Sequence, residues 1–181
     1  LLAGRARLLP ESVTLPGGLA TYRFFLGTPD PPQPNFPVRV GTGVQLLGQS
    51  VEQDTSCQAV GQPASGSASA ASCTLHLTLT WQVLDVSTAP ENPSFFNHLV
   101  DETGRRVGQR DGLDYPPRRW NDGDVFVSFY NLPVAANTTP GRYWILTGLY
   151  DYKTGVREPV QTEIGELLGD TVRLGPIVIG R

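Results

Sequence analysis

Methionine is absent from the 181 residues, lysine occurs once, cysteine and histidine twice each, and no apolar run reaches bilayer length. Each shortage excludes something. A membrane-crossing helix needs about 20 consecutive apolar residues, and the sequence contains no such run. The 14 basic residues are scattered among 17 acidic ones for a formal charge of −3, so the cationic stripe of a nucleic-acid binder is missing. Neither the Gly-x-x-x-x-Gly-Lys-Ser/Thr nor the Gly-x-Gly-x-x-Gly phosphate cradle occurs. A Gly-x-Ser-x-Gly nucleophile elbow is lacking too, and two cysteines fall short of the four ligands of a structural zinc site. No segment carries a convincing 3.6-residue apolar period except one short turn near residues 162–168, which removes helical and α/β folds from contention. The absence of methionine even at position 1, with a start at Leu1-Leu2-Ala3-Gly4-Arg5 that lacks a full signal-peptide core, predicts a fragment or processed form whose membrane segment or signal lies upstream.

What the sequence does contain is turn chemistry alternating with short β-prone runs. From Tyr115 to Val160, the clusters Pro116-Pro117, Asn121-Asp122-Gly123-Asp124, Leu132-Pro133, Pro140-Gly141 and Thr154-Gly155 separate runs rich in Val, Phe, Tyr, Trp and Ile. The clearest period-2 signal is Leu75, Leu77, Leu79, Trp81 and Val83 interleaved with His76, Thr78, Thr80 and Gln82, a strand with one face on the core. Trp81 is its expected anchor. Further strands are predicted over 44–53, with Gly48 at a bulge, and over 95–101, turning through Asp101-Glu102-Thr103-Gly104 into a hairpin partner at 106–110. Runs at 124–132, 141–152, 156–159 and 171–179 bring the total to about eight, which fits an all-β fold of two antiparallel sheets packed face to face, immunoglobulin-like or jelly-roll-like. Residues 1–40, with one or two strands and a lead of five prolines over 26–37, are expected to pack on or link to a body formed by 41–181.

Cys57 and Cys73 bracket a run of Gln, Ala, Gly and Ser that can bury little surface. A disulfide between them is predicted, and a bridge of this kind belongs to an oxidising, extracytoplasmic compartment.

Candidate chemistry is sparse. Asp111, Asp114, Asp122 and Asp124 lie close in sequence, but Asn121-Asp122-Gly123-Asp124 supplies only the opening of a calcium loop and reads as a turn. His76 and His98 have no nucleophile beside them in sequence and are expected to be structural. Asn137-Thr138-Thr139 matches a glycosylation sequon by letters and is expected to be a turn. No catalytic residue, metal or cofactor is therefore expected. Aromatics could stack on a sugar ring, and the candidates are Tyr115, Trp120, Tyr130, Trp144, Tyr150 and Tyr152, most of them expected in the core. Tyr115 and Trp120, placed on a loop with Arg118 and Arg119, form the candidate ligand-binding set; the same loop position also suits a plug at the end of the sandwich.

An ordered series of motifs carries a resemblance. Leu46-Leu47-Gly48, Leu77-Thr78-Leu79-Thr80-Trp81, His98-Leu99-Val100-Asp101, Tyr115-Pro116 with Arg119-Trp120, Leu132-Pro133, Pro140-Gly141-Arg142-Tyr143, Gly148-Leu149-Tyr150-Asp151 with Thr154-Gly155, and Gly169-Asp170 occur in this sequence in that order. The series resembles the extracytoplasmic C-terminal β-sandwich of bacterial multi-pass membrane glycosyltransferases of the lipid-linked-sugar type. The insertion between Cys57 and Cys73 and the proline-rich lead depart from that pattern. The resemblance implies a non-catalytic accessory domain outside the membrane, tethered through an upstream region, with a glycan, an acceptor or the parent's membrane domain as partner. A free-standing secreted module binding carbohydrate or a cell-surface partner is the main alternative, and a small glycoside hydrolase is the second.

Overall fold

The structure, a computed structural model, describes residues 36–60, 73–113 and 115–180 together with the backbone of two N-terminal strands. Those two strands, β1 (Ala6–Thr14) and β2 (Ala20–Leu26), pair antiparallel with each other. The body follows as β3 (Val38–Val40), β4 (Val44–Gln53), β5 (Cys73–Val83), β6 (Pro93–Val100), β7 (Arg106–Gln109), β8 (Val125–Val134), β9 (Gly141–Asp151), β10 (Val160–Thr162), β11 (Leu167–Gly169) and β12 (Val172–Ile179). Its ten strands form two antiparallel sheets, one in the order β11-β10-β3-β4-β5-β8 and the other β12-β9-β6-β7. Only three short 3-10 turns interrupt them, and there is no α-helix among the described residues.

The alternation in β5 sets the core. Leu75, Leu77, Leu79, Trp81 and Val83 are all buried, while His76 faces solvent. Trp81 stacks on Phe95 of β6 with ring centroids 4.3 Å apart, so the predicted anchor joins the two sheets. In β4, Leu46 opposes Trp81 and Gly48 opposes Thr80, which leaves Leu47 as the extra residue of a bulge beside the expected glycine. At the β6–β7 hairpin, Asp101 Oδ1 accepts hydrogen bonds from Thr103 N–H at 3.0 Å, Thr103 Oγ1 at 2.7 Å and Arg105 N–H at 3.0 Å. The Thr103 hydroxyl first, then the Arg105 guanidinium, whose Nε donates to Asp101 Oδ2 at 3.0 Å, and the two backbone N–H groups hold the Asp101 carboxyl down at about 2. Gly104 completes the turn at φ 83°, a region closed to most side chains.

Three expectations about local structure change. Residues 156–159 are a connection that meets β9 at an isolated bridge from Arg157 to Tyr150, with Asp151 N–H donating to Val156 O at 2.9 Å and Glu158 N–H to Leu149 O at 2.8 Å, and pairing resumes at Val160, after Pro159, which has no N–H to donate. The short turn near residues 162–168 is a β-hairpin rather than helix: Thr162 N–H bonds Glu166 O, and Gly165 N–H bonds Thr162 O, both at 2.9 Å. Finally, residues 38–40, assigned above to the lead, are β3 and sit between β10 and β4 within the six-stranded sheet. The rest of the proline-rich lead lies outside the described residues, apart from Leu26, which ends β2, and Phe36-Pro37, which opens the body.

Candidate functional site

The loop that carried the sequence-predicted ligand set folds back on itself. Pro117–Arg119 forms a 3-10 turn, and the next residue, Trp120, is buried, with its indole N–H donating to Tyr115 O at 3.0 Å. Its ring stacks on Phe126 at 5.7 Å, and Phe126 lies 6.2 Å from Phe95, which stacks on Trp81. Trp120 is thus the outer end of an aromatic series running through the core, which is the plug that its loop position also suited. Tyr115 is half-buried against Phe126, donates its hydroxyl to Arg119 O at 2.7 Å, and titrates above the ordinary tyrosine range because of burial first and the Asp124 carboxylate second. Arg118 and Arg119 remain exposed on the turn. Of the four residues only the two arginines are exposed; Tyr115 is half-buried and Trp120 buried.

The clustered acids are occupied locally. Asp122 accepts from Val86 N–H at 2.8 Å, Asp124 accepts from Asn121 N–H at 2.9 Å, and Asp111 lies 3.5 Å from His98; Asp114 is outside the described residues. Among the described residues no group of three or more His, Cys, Asp or Glu side chains converges in a way that would suit a metal ion.

The two histidines sit in opposite environments. His76, exposed on β5, bridges Asp54 at 3.0 Å and Asn131 at 2.8 Å, and these hydrogen bonds, Asp54 first, raise its pKa. His98 faces the outer side of β6 and is lowered, chiefly by burial, with Asp111 pulling the other way. The signs then follow from linkage. The raised His76 lends stability that is complete below the unfolded value of about 6.5 and is lost as pH rises through its folded pKa. The lowered His98 does the reverse, and stability falls as pH drops below about 6.5 toward its folded pKa. With only two histidines in the chain, an imidazole NMR titration resolves both. His76 is expected to titrate above the unperturbed value and His98 below it, and Asp54→Asn is expected to bring His76 down alone. Superimposed curves for the two rings would refute these environments.

The second sequence-predicted pool, the aromatics of β9, lands on an unexpected surface. Tyr143, Ile145, Thr147 and Leu149 point into the sandwich, whereas Trp144, Leu146 and Tyr150 form the outer side of β9 and are only half-buried. What covers that outer face is arginine. Arg173 of β12 places its guanidinium carbon 4.2 Å from the Trp144 ring centroid, Arg142 places its own at 5.6 Å, and Arg157 lies 4.3 Å over Phe96. Phe96 fits beneath because residue 148 is glycine: a Cβ there would come within 2.7 Å of the Phe96 ring. Of the other candidates, Tyr130 is buried and donates its hydroxyl to Gly112 O, and Tyr152 is exposed in the turn after β9. Sequence reading singled out Trp144 but neither arginine near it. Arg142, two residues before Trp144 on the same strand, was the available signal; Arg173 is 31 residues from Arg142 in sequence and is brought near only by β9–β12 pairing.

Compared with known proteins, the chain matches no protein-family model, no curated protein and no solved structure.

Proposed function

We propose that this chain is a non-catalytic, extracytoplasmic β-sandwich module accessory to a bacterial multi-pass membrane glycosyltransferase, positioned to contact carbohydrate or acceptor. The observation that carries the reading is the disulfide between Cys57 and Cys73, both buried, because bridges of this kind persist in oxidising compartments and are rare in reducing ones. No helix among the described residues is long and apolar enough to cross a membrane, so any membrane-spanning helix of the parent would have to come from elsewhere in that protein.

The scaffold supports a module of immunoglobulin type. One sheet carries β4, β5 and β8 side by side, the other β12, β9, β6 and β7, and the chain crosses between them after β5, β7, β8, β9 and β11. Near the start of β9, Tyr143 donates its hydroxyl to the carbonyl of Thr139 in the preceding connection, the arrangement of a tyrosine corner. The motifs of the glycosyltransferase resemblance fall at turns and strand cores of this body, which makes it a scaffold likeness and assigns no reacting group.

The test is topological. In the full reading frame, several hydrophobic spans are expected ahead of Leu1, and a membrane-impermeant label is expected to reach this domain in intact cells. A short signal peptide in place of the spans would favour the free-standing secreted module. Protection of the domain from the label until the membrane is permeabilised inward would sink both.

A further inference from the structure

We infer that Arg142, Trp144 and Arg173 form a binding site for the carboxylates of an acidic polysaccharide. The antiparallel register of β9 with β12 sets Arg173 opposite Leu146 and Val178 opposite Arg142, so both arginines reach the outer sheet face with Trp144 between them in the ladder. Both are exposed, and their guanidinium carbons stand 4.2 and 5.6 Å from the same indole ring. A guanidinium held against an aromatic face gives up hydration on that face and keeps the N–H donors along its edge, already oriented for a planar, two-oxygen acceptor. Side-chain ordering, a large part of the cost of binding through arginine, is then partly met beforehand.

The rival explanation is that arginine merely shields an apolar sheet face from water. Arg157 provides an internal comparison: it covers Phe96 at 4.3 Å and is also paired with Asp170 at 3.4 Å. Neither Arg142 nor Arg173 has a carboxylate within ion-pairing distance among the described residues. Covering a ring does not demand an unneutralised cation, yet two of them meet on Trp144. The chain as a whole carries −3, so a polyanion gains nothing from its overall charge and must bind through local contacts.

The surroundings favour a saccharide over a peptide. Leu146, also half-buried, lies one pleat repeat along β9, roughly 7 Å from Trp144, and extends an apolar floor for a sugar ring beside the carboxylate. A peptide would more naturally add as a strand to β12, which ends its sheet among the described residues, but β12 slips register against β9 between Leu174 and Ile177 and contains Pro176, which has no N–H. This inference rests on the extracytoplasmic reading above.

The probes are oligogalacturonate, its methyl ester, a poly-glutamate peptide and phosphatidylglycerol vesicles, titrated into the purified chain by calorimetry. Oligogalacturonate is expected to bind at millimolar concentration or below and to weaken with salt, while the methyl ester does not bind. Arg142→Gln with Arg173→Gln, both on the surface, is expected to reduce affinity by about 10-fold or more with an unchanged circular dichroism spectrum. Trp144→Phe, which retains a ring, keeps the test open should the double variant fold poorly, and is expected to weaken binding less. No binding of oligogalacturonate, equal binding by the double variant, or tighter binding of the peptide or the vesicles would overturn the site. Labelling in intact cells reports separately on the compartment, so a surface-exposed domain that ignores oligogalacturonate removes this inference alone.

Discussion

Trp81→Ala is expected to cost about 3–5 kcal/mol, the range for truncating a buried tryptophan, and so a large share of the roughly 5–15 kcal/mol that stabilises a typical domain. Trp81 is fully buried in β5, between β4 and β8, and its ring is the contact by which the six-stranded sheet reaches Phe95 of the other sheet. From there the packing continues through Phe126 to Trp120 at the end of the sandwich. Removing the indole leaves a void that rigid strands on both sides cannot close. Trp81→Phe should cost less for a specific reason. The indole N–H is buried without a hydrogen-bond partner among the described residues, so phenylalanine removes an unpaired donor along with the volume. Urea unfolding of the two variants measures this, with a lower midpoint at constant slope marking a true stability change. An alanine variant within about 1 kcal/mol of the parent would show that the sheets are joined elsewhere.

The aromatic series also shows where sequence reading succeeds and where it stops. The register of β5 was legible because five apolar residues alternate with four polar ones, and a shift by one would send the whole set into water. The bulge at Gly48 and the Asp101 hairpin were legible because single residues there have few other uses. Strands β3, β10 and β11 were not, since three residues hold less than two periods of alternation, and the β3–β10 pairing that seats them in the sheet joins positions more than a hundred apart, as between Val38 and Thr162. The same limit governed the surface. Tyr115, Arg118, Arg119 and Trp120 stand close in sequence, but which ring faces inward depends on Phe126 and the end of β5, where Gly123 N–H bonds Val83 O at 2.9 Å. The Arg142–Trp144–Arg173 arrangement needs the β9–β12 register, which no local pattern encodes.

Breaking the Cys57–Cys73 bridge is the second change with a large expected effect. It closes a loop with a sequence separation of 16, for which chain-entropy arithmetic gives about 3 kcal/mol. Cys57 lies in the 3-10 turn after β4 and Cys73 opens β5; in addition, Gly180 N–H donates to Cys57 O at 2.9 Å, so the bridge ties the β4–β5 excursion to the end of β12. For a domain of this length each kcal/mol corresponds to about 2–4 °C, so Cys57→Ala with Cys73→Ala is expected to lower Tm by roughly 6–12 °C. The unfolding slope in urea should rise as the unlinked denatured chain expands. Alanine rather than serine is the informative replacement, because both sites are buried and an added hydroxyl would contribute its own desolvation cost. Reduction of the unmodified chain, verified by mass after thiol blocking, should reproduce the same shift. If neither treatment moves Tm, the bridge contributes nothing to stability, and the loop-closure account of it fails.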